Sequence, residues 1–165
     1  MSDAPVSTSN EYVFVDRWRV RGAVQEVSDI IGDAPGLVTW WGSVYESVEI
    51  VEPGDARGVG QVVRIVAHGR LPYTVRFSFR ITESRAPHGF SLEAWGDFNG
   101  TGMWTFAQVG PWVDVRYDWR IKAEKPVLKW LSFALKPIFA WNHRWCMAQG
   151  QEGLRRLLES RRPAT

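Results

Sequence analysis

The sequence predicts an α+β protein in which an antiparallel sheet carries its helices on one side. Two strict alternations point to the sheet. Tyr73, Val75, Phe77, Phe79 and Ile81 face opposite to Thr74, Arg76, Ser78, Arg80 and Thr82, and Val113, Val115, Tyr117, Trp119 and Ile121 face opposite to Asp114, Arg116, Asp118 and Arg120. One face packed and the other wet is the antiparallel pattern. A third observation is the punctuation: from Ser43 onward the clusters EPGDARG, HGRLP, APHG, NG and VGP separate the apolar runs, as hairpin turns do.

The elements follow in order. YVFVDRWRV puts Tyr12, Phe14, Trp18 and Val20 on one face and three arginines on the other, a half-buried strand. AVQEVSDIIG then changes period: Val27, Ile30 and Ile31 form a short helical stripe that Gly32 ends. DAPGLVTWWG suggests a second short helix, opened at Asp33 and closed at Gly42. About six hairpin-linked strands come next, with Asn99–Gly100 expected at the tip of a tight turn. The C-terminal region is helical. On one straight helix Lys129, Ser132 and Lys136 would share a side with His143, Met147 and Leu154, a stripe that changes character midway. Pro137 lacks the amide that a helix interior needs, so a kink or break within a residue or two of it is expected, with pieces over 126–136 and 138–161. The first piece would then be a mobile lid, a fixed part of the core or a helix lying on a membrane surface, where Lys and Trp also fit. Residues 1–10 read as a disordered tail and residues 11–162 as one domain.

Composition narrows the function classes. Apolar residues make up 45% and charged residues 23%, ordinary for a globular protein, but 10 residues are Trp, which suits a roomy core or a cavity for a flat or greasy ligand. A net charge of +2 is too weak to argue for nucleic acid. Arg155, Arg156, Arg161 and Arg162 read as a solvated helix face. Cys146 is the single cysteine, which removes disulfides and thiolate zinc sites, and His68, His88 and His143 stand without carboxylates at metal-ligand spacing. No metal or cofactor is expected. The N-terminus lacks a signal-peptide succession and no uncharged run has the length of a membrane span, so the expected location is cytoplasmic.

Polar groups on apolar faces are the candidates for chemistry. Asp16 lies between Phe14 and Trp18 on the inner side of the first strand, where a carboxylate needs a structural partner or a role in a pocket. Tyr73 and Tyr117 sit on inner strand faces, where each hydroxyl needs a partner or a ligand. His143 lies one turn after Phe139 and one before Met147, on the side of the helix expected to meet the sheet. Arg64 fits either face and is read as a solvated strand residue.

FVDRWRV followed at once by a helix, GDAPGLVTWW, GRLPY, GDFNGTGMW and WNHRWCMAQGQEGL resemble the START-like and polyketide cyclase/dehydrase superfamily, in its bacterial members, from about Glu11 to Arg162. That resemblance implies the helix-grip fold, a curved antiparallel sheet wrapped around a long C-terminal helix. It implies no catalytic set that can be placed on this sequence. On this fold the expected function is binding of a hydrophobic small molecule (polyketide-like, aromatic or lipid) in a cavity between sheet and C-terminal helix. The lining expected there is Tyr73, Phe77, Trp104, Tyr117, Trp119, Phe139, His143 and Met147. One alternative is a polyketide cyclase or dehydratase acting through His143 with Tyr73, Tyr117 or Asp16. Another is a non-catalytic interaction module whose aromatics are only core. A homodimer is left open.

Overall fold

The computed structural model describes residues 11–123 and 126–163, with the side chains of 123–134 outside the description. Strand β1 (Glu11–Arg21) leads into helix α1 (Val24–Gly32), a 3-10 turn (Ala34–Gly36) and helix α2 (Leu37–Trp40). Six strands follow: β2 (Tyr45–Glu52), β3 (Val62–His68), β4 (Thr74–Ser84), β5 (Gly89–Gly96), β6 (Phe98–Val109) and β7 (Trp112–Ala123). Helix α3 (Pro126–Ser160) ends the fold. All seven strands form one curved antiparallel sheet in the order β1-β7-β6-β5-β4-β3-β2, so β1 and β2 are its edges.

The predicted alternations explain why these strands pair. Phe79, Ile81, Val113, Val115 and Trp119 are buried on the inner face, while Arg80, Arg116 and Arg120 are exposed on the outer. Outer charges pair across strands, as in Arg19–Asp114 at 2.7 Å and Arg64–Glu49 at 3.2 Å, but these exposed bridges add little stability. Arg64 is thus the solvated residue expected. The core fills the inner face with Val27, Ile30 and Ile31 of α1, Leu37 and Trp40 of α2, and Met147, Leu154 and Leu158 of α3.

Two expectations fail. Asn99–Gly100 is not a hairpin tip: both residues lie inside β6, opposite Lys122 and Ile121 of β7. The turn falls earlier, at Asp97, whose amide donates to the Arg76 carbonyl (2.9 Å) while its carboxylate accepts from the Arg76 amide (2.8 Å). Gly100 serves a close approach instead, because a Cβ there would overlap the Arg120 carbonyl.

Of the kink or break expected at Pro137 the break is absent, since α3 runs through it as one helix of 35 residues. Pro137 is exposed, so the bond it forfeits falls on the solvent side, where water can replace it. Lys136 needs no re-phasing to escape the core. Its ammonium lies 5.3 Å from the ring centroid of Tyr12, a cation–π contact at the end of the buried stripe. A separately moving piece over 126–136 has no break to hinge on, and most of its side chains lie outside the described residues.

Candidate functional site

The inner face of the sheet borders two separate cavities rather than the single one expected. The larger, about 400 Å³, lies between the sheet and the short helices. Ile65, Phe77, Phe79, Trp104, Tyr117 and Trp119 form its sheet wall, and Ile31, Ala34, Leu37 and Trp41 cover it. Asp29, Asp33 and Arg57 are exposed at its rim, beside Gln61 and Ser84. Among the described residues, none of α3 lines it.

The period-two pattern that built β6 and β7 also shapes this wall. Trp104 and Tyr117 are directly opposite in the β6–β7 register, and Trp119 follows on the same face. Their rings stand as a parallel ladder, with Trp104 to Tyr117 at 4.0 Å and 14°, and Tyr117 to Trp119 at 5.6 Å and 21°. The Tyr117 hydroxyl and the indole N–H groups of Trp104 and Trp119 make no hydrogen bond within the described residues. Burial pushes the Tyr117 phenol well above its usual range, and the neighbouring Tyr45 and Asp16 add to the shift. Burial raises Tyr45 in the same direction, with Cys146 adding to it. Both phenols are therefore neutral hydrogen-bond donors at physiological pH, and neither can serve as an anionic base.

The smaller cavity, about 150 Å³, lies along α3 and is lined by Tyr12, Phe14, Tyr73, Val75, Phe98, Ile121, Phe139, Asn142, His143 and Cys146. His143 Nε2 lies 2.7 Å from Asp16 Oδ2, and each side chain is 16% exposed. The imidazole also stacks on Phe14, with centroids 3.9 Å apart and planes 15° from parallel. Asn142 is held to the β3–β4 connection by accepting from the Arg70 amide at 2.8 Å. Burial moves the Tyr73 phenol up to about 12, with Cys146 and Tyr12 adding to it, and burial moves the Cys146 thiol up to about 11.

The eight lining residues expected from the sequence are thus divided. Phe77, Trp104, Tyr117 and Trp119 line the large cavity; Tyr73, Phe139 and His143 line the small one; Met147, only 5% exposed, lines neither and belongs to the core. The wall between the cavities is aromatic: Phe77 on the large side and Phe98 on the small side are 4.6 Å apart, and Trp119 meets Phe98 edge-on at 5.7 Å. Of the acid/base candidates, Asp16 and His143 come together and Tyr117 sits opposite Asp16 in the β1–β7 register. Sequence reasoning missed Phe79, whose place on the inner stripe of β4 was legible, and Trp41, which caps the C-terminal end of α2 and whose direction was not. Among the described residues there is no cluster of three or more metal-ligating side chains, and no helix is long and apolar enough to cross a membrane.

This architecture is the helix-grip fold of START-like proteins and polyketide aromatase/cyclases. Solved structures share it over nearly the whole chain. TTHA0849 from Thermus thermophilus is 19% identical with a TM-score of 0.72, covering 90% of this chain and 98% of that one. The Zhui aromatase/cyclase from a Streptomyces species is 14% identical with a TM-score of 0.71, covering 93% and 97%. A START superfamily protein from Mycobacterium smegmatis is 11% identical with a TM-score of 0.68, covering 90% and 97%. At these identities the likeness is one of fold. No family model and no curated sequence matches the chain.

Proposed function

We propose that residues 11–162 form one domain that binds a hydrophobic small molecule, polyketide-like, aromatic or lipid, in the large cavity, within the cytoplasm. The observation that carries this reading is the cavity itself: about 400 Å³, walled by aromatic rings, with donors at Trp104, Tyr117 and Trp119 that have no hydrogen-bond partner among the described residues. Ligand sites are of this kind, apolar surfaces with a few polar groups that fix orientation, and they start at about 300 Å³. An interaction module whose aromatics are only core has no use for such a space. The aromatase/cyclase among the structural neighbours supports the same reading.

Leu92 lines this cavity, and the open volume beside it has room for an indole, so Leu92→Trp should keep the fold and fill the site. Native mass spectrometry of protein from its own host should show a co-purifying molecule that the variant lacks. Protein that is empty in that experiment, and that also binds multi-ring aromatic and long acyl-chain probes, too large for the small cavity, no more tightly than Leu92→Trp does, would refute the reading. Turnover is a second reading. Tyr117 supports it, a neutral phenol in the cavity wall facing Asp16 across β1 and β7. There Tyr117→Phe should abolish turnover while weakening binding only by the loss of one of the three donors.

A further inference from the structure

We propose that the small cavity is a second, independent ligand site, which takes a single-ring phenol whose hydroxyl donates a hydrogen bond to the Asp16–His143 pair. Its size fits one ring: a cavity of about 150 Å³ is the size of an engineered protein cavity that takes up benzene. Its walls fit an aromatic ring, with Phe139 meeting Tyr12 edge-on at 6.0 Å and Tyr73 edge-on at 6.3 Å. It is separated from the large cavity by the Phe77–Phe98 contact, so a ligand here need not displace one there.

The chemistry of the ligand follows from the imidazole. Nε2 lies 2.7 Å from the Asp16 carboxylate, which in the neutral tautomer protonated at Nε2 accepts a hydrogen bond from its N–H, and Nδ1 has no hydrogen-bond partner among the described residues. With Nε2 carrying the proton, Nδ1 is left as a lone-pair acceptor in a half-buried, mostly apolar pocket. What satisfies an acceptor is a donor, so a hydroxyl fits and a ketone or ether does not. The other titratable groups around the site are Tyr12 of β1, Tyr73 before β4, Cys146 of α3, Tyr117 across from Asp16, and Lys136 above Tyr12. Tyr73, Cys146 and Tyr117 are held neutral by burial and place no competing anion beside the incoming hydroxyl.

The test uses 4-nitrophenol, whose absorption reports both binding and ionisation, against nitrobenzene, which has the same ring and no hydroxyl. Wild-type protein should bind one 4-nitrophenol at least tenfold more tightly than nitrobenzene. His143→Phe should erase that preference. Val75→Phe, which fills the small cavity, should weaken both probes at least tenfold, and Leu92→Trp in the large cavity should change neither. Equal affinity for the two probes, no measurable binding, or a loss caused by Leu92→Trp and not by Val75→Phe would overturn the proposal. The comparison of the two probes on wild-type protein decides the matter even if His143→Phe fails to fold. Because the two filling variants address different cavities, this site can fail while the large one stands, and the reverse.

Discussion

Breaking the Asp16–His143 contact from one side should cost more than replacing both partners. His143→Phe keeps the ring that stacks on Phe14 at 3.9 Å but removes the partner 2.7 Å from the Asp16 carboxylate. A buried polar group left unsatisfied costs about 1–3 kcal/mol. Each side chain is 16% exposed, so water relieves part of the loss and the lower half of that range, about 1–2 kcal/mol, applies here. For a chain of this length each kcal/mol shifts the melting temperature by about 2–4 °C, so a fall of about 2–8 °C is expected. Asp16→Leu strands the imidazole in the same way. The double variant Asp16→Leu with His143→Phe replaces two polar partners by apolar groups of similar shape and should recover most of the loss. Thermal melts of the four proteins at pH 7 close a double-mutant cycle with an expected coupling of about 1–2 kcal/mol. If the single losses simply add, to within about 0.5 kcal/mol, the pair does not couple β1 to α3 and the energetic argument fails.

Gly150→Ala sets helix propensity against packing: alanine gains about 1 kcal/mol in a helix interior, but its Cβ would lie 2.9 Å from Trp18 and overlap the Trp41 indole, and overpacking costs about 1–3 kcal/mol. Packing should win and lower the urea midpoint; a raised midpoint would show that Trp41 moves aside freely. Alkaline stability should also fall. The folded state holds the Cys146 proton to about 11 and the Tyr73 proton to about 12, against ordinary values of 9.0 and 10.0. Unfolding therefore releases protons from about pH 9 upward: stability from these groups is complete below that pH and lost as pH rises toward 12. Urea midpoints at pH 8 and pH 10.5 check the sign, and equal midpoints would contradict it.

Much of the fold was legible because strand alternation reports directly which face is packed. The inner stripes of β4 and β7, the Gly32 end of α1 and the order of elements all read correctly from neighbouring residues. Two local rules were overruled by tertiary context. Asn-Gly favours a hairpin tip, but the two bonds between Asp97 and Arg76 fix the turn earlier and leave Gly100 as the only residue type that fits against Arg120. Proline disfavours a helix interior, yet Pro137 stands on the exposed side, where the missing bond is cheapest.

The site was less legible, and the reason is depth. Alternation distinguishes inner from outer residues but not which inner residues border open space. Asp16 and His143 could each be singled out as polar groups on apolar faces, yet 127 residues separate them and no local signal joins them. The division into two cavities depends on Phe98 reaching Phe77 across β5, a contact between strands that are not neighbours. The displacement of the large cavity away from α3 has a traceable origin in that helix. Gly150 and Gly153 carry no side chains, so the Trp41 and Trp18 rings and the Trp40 backbone close directly on α3. Trp41 is then locked there by donating from its indole to the Cys146 carbonyl at 2.9 Å. With that space filled by tryptophan and Met147, the uncovered part of the inner face is the stretch under α1 and α2, between Ile65 and Trp119. Two glycines in the C-terminal helix thus move the ligand space toward the short helices, and a Cβ at either position should disturb the cavity roof as well as the helix packing.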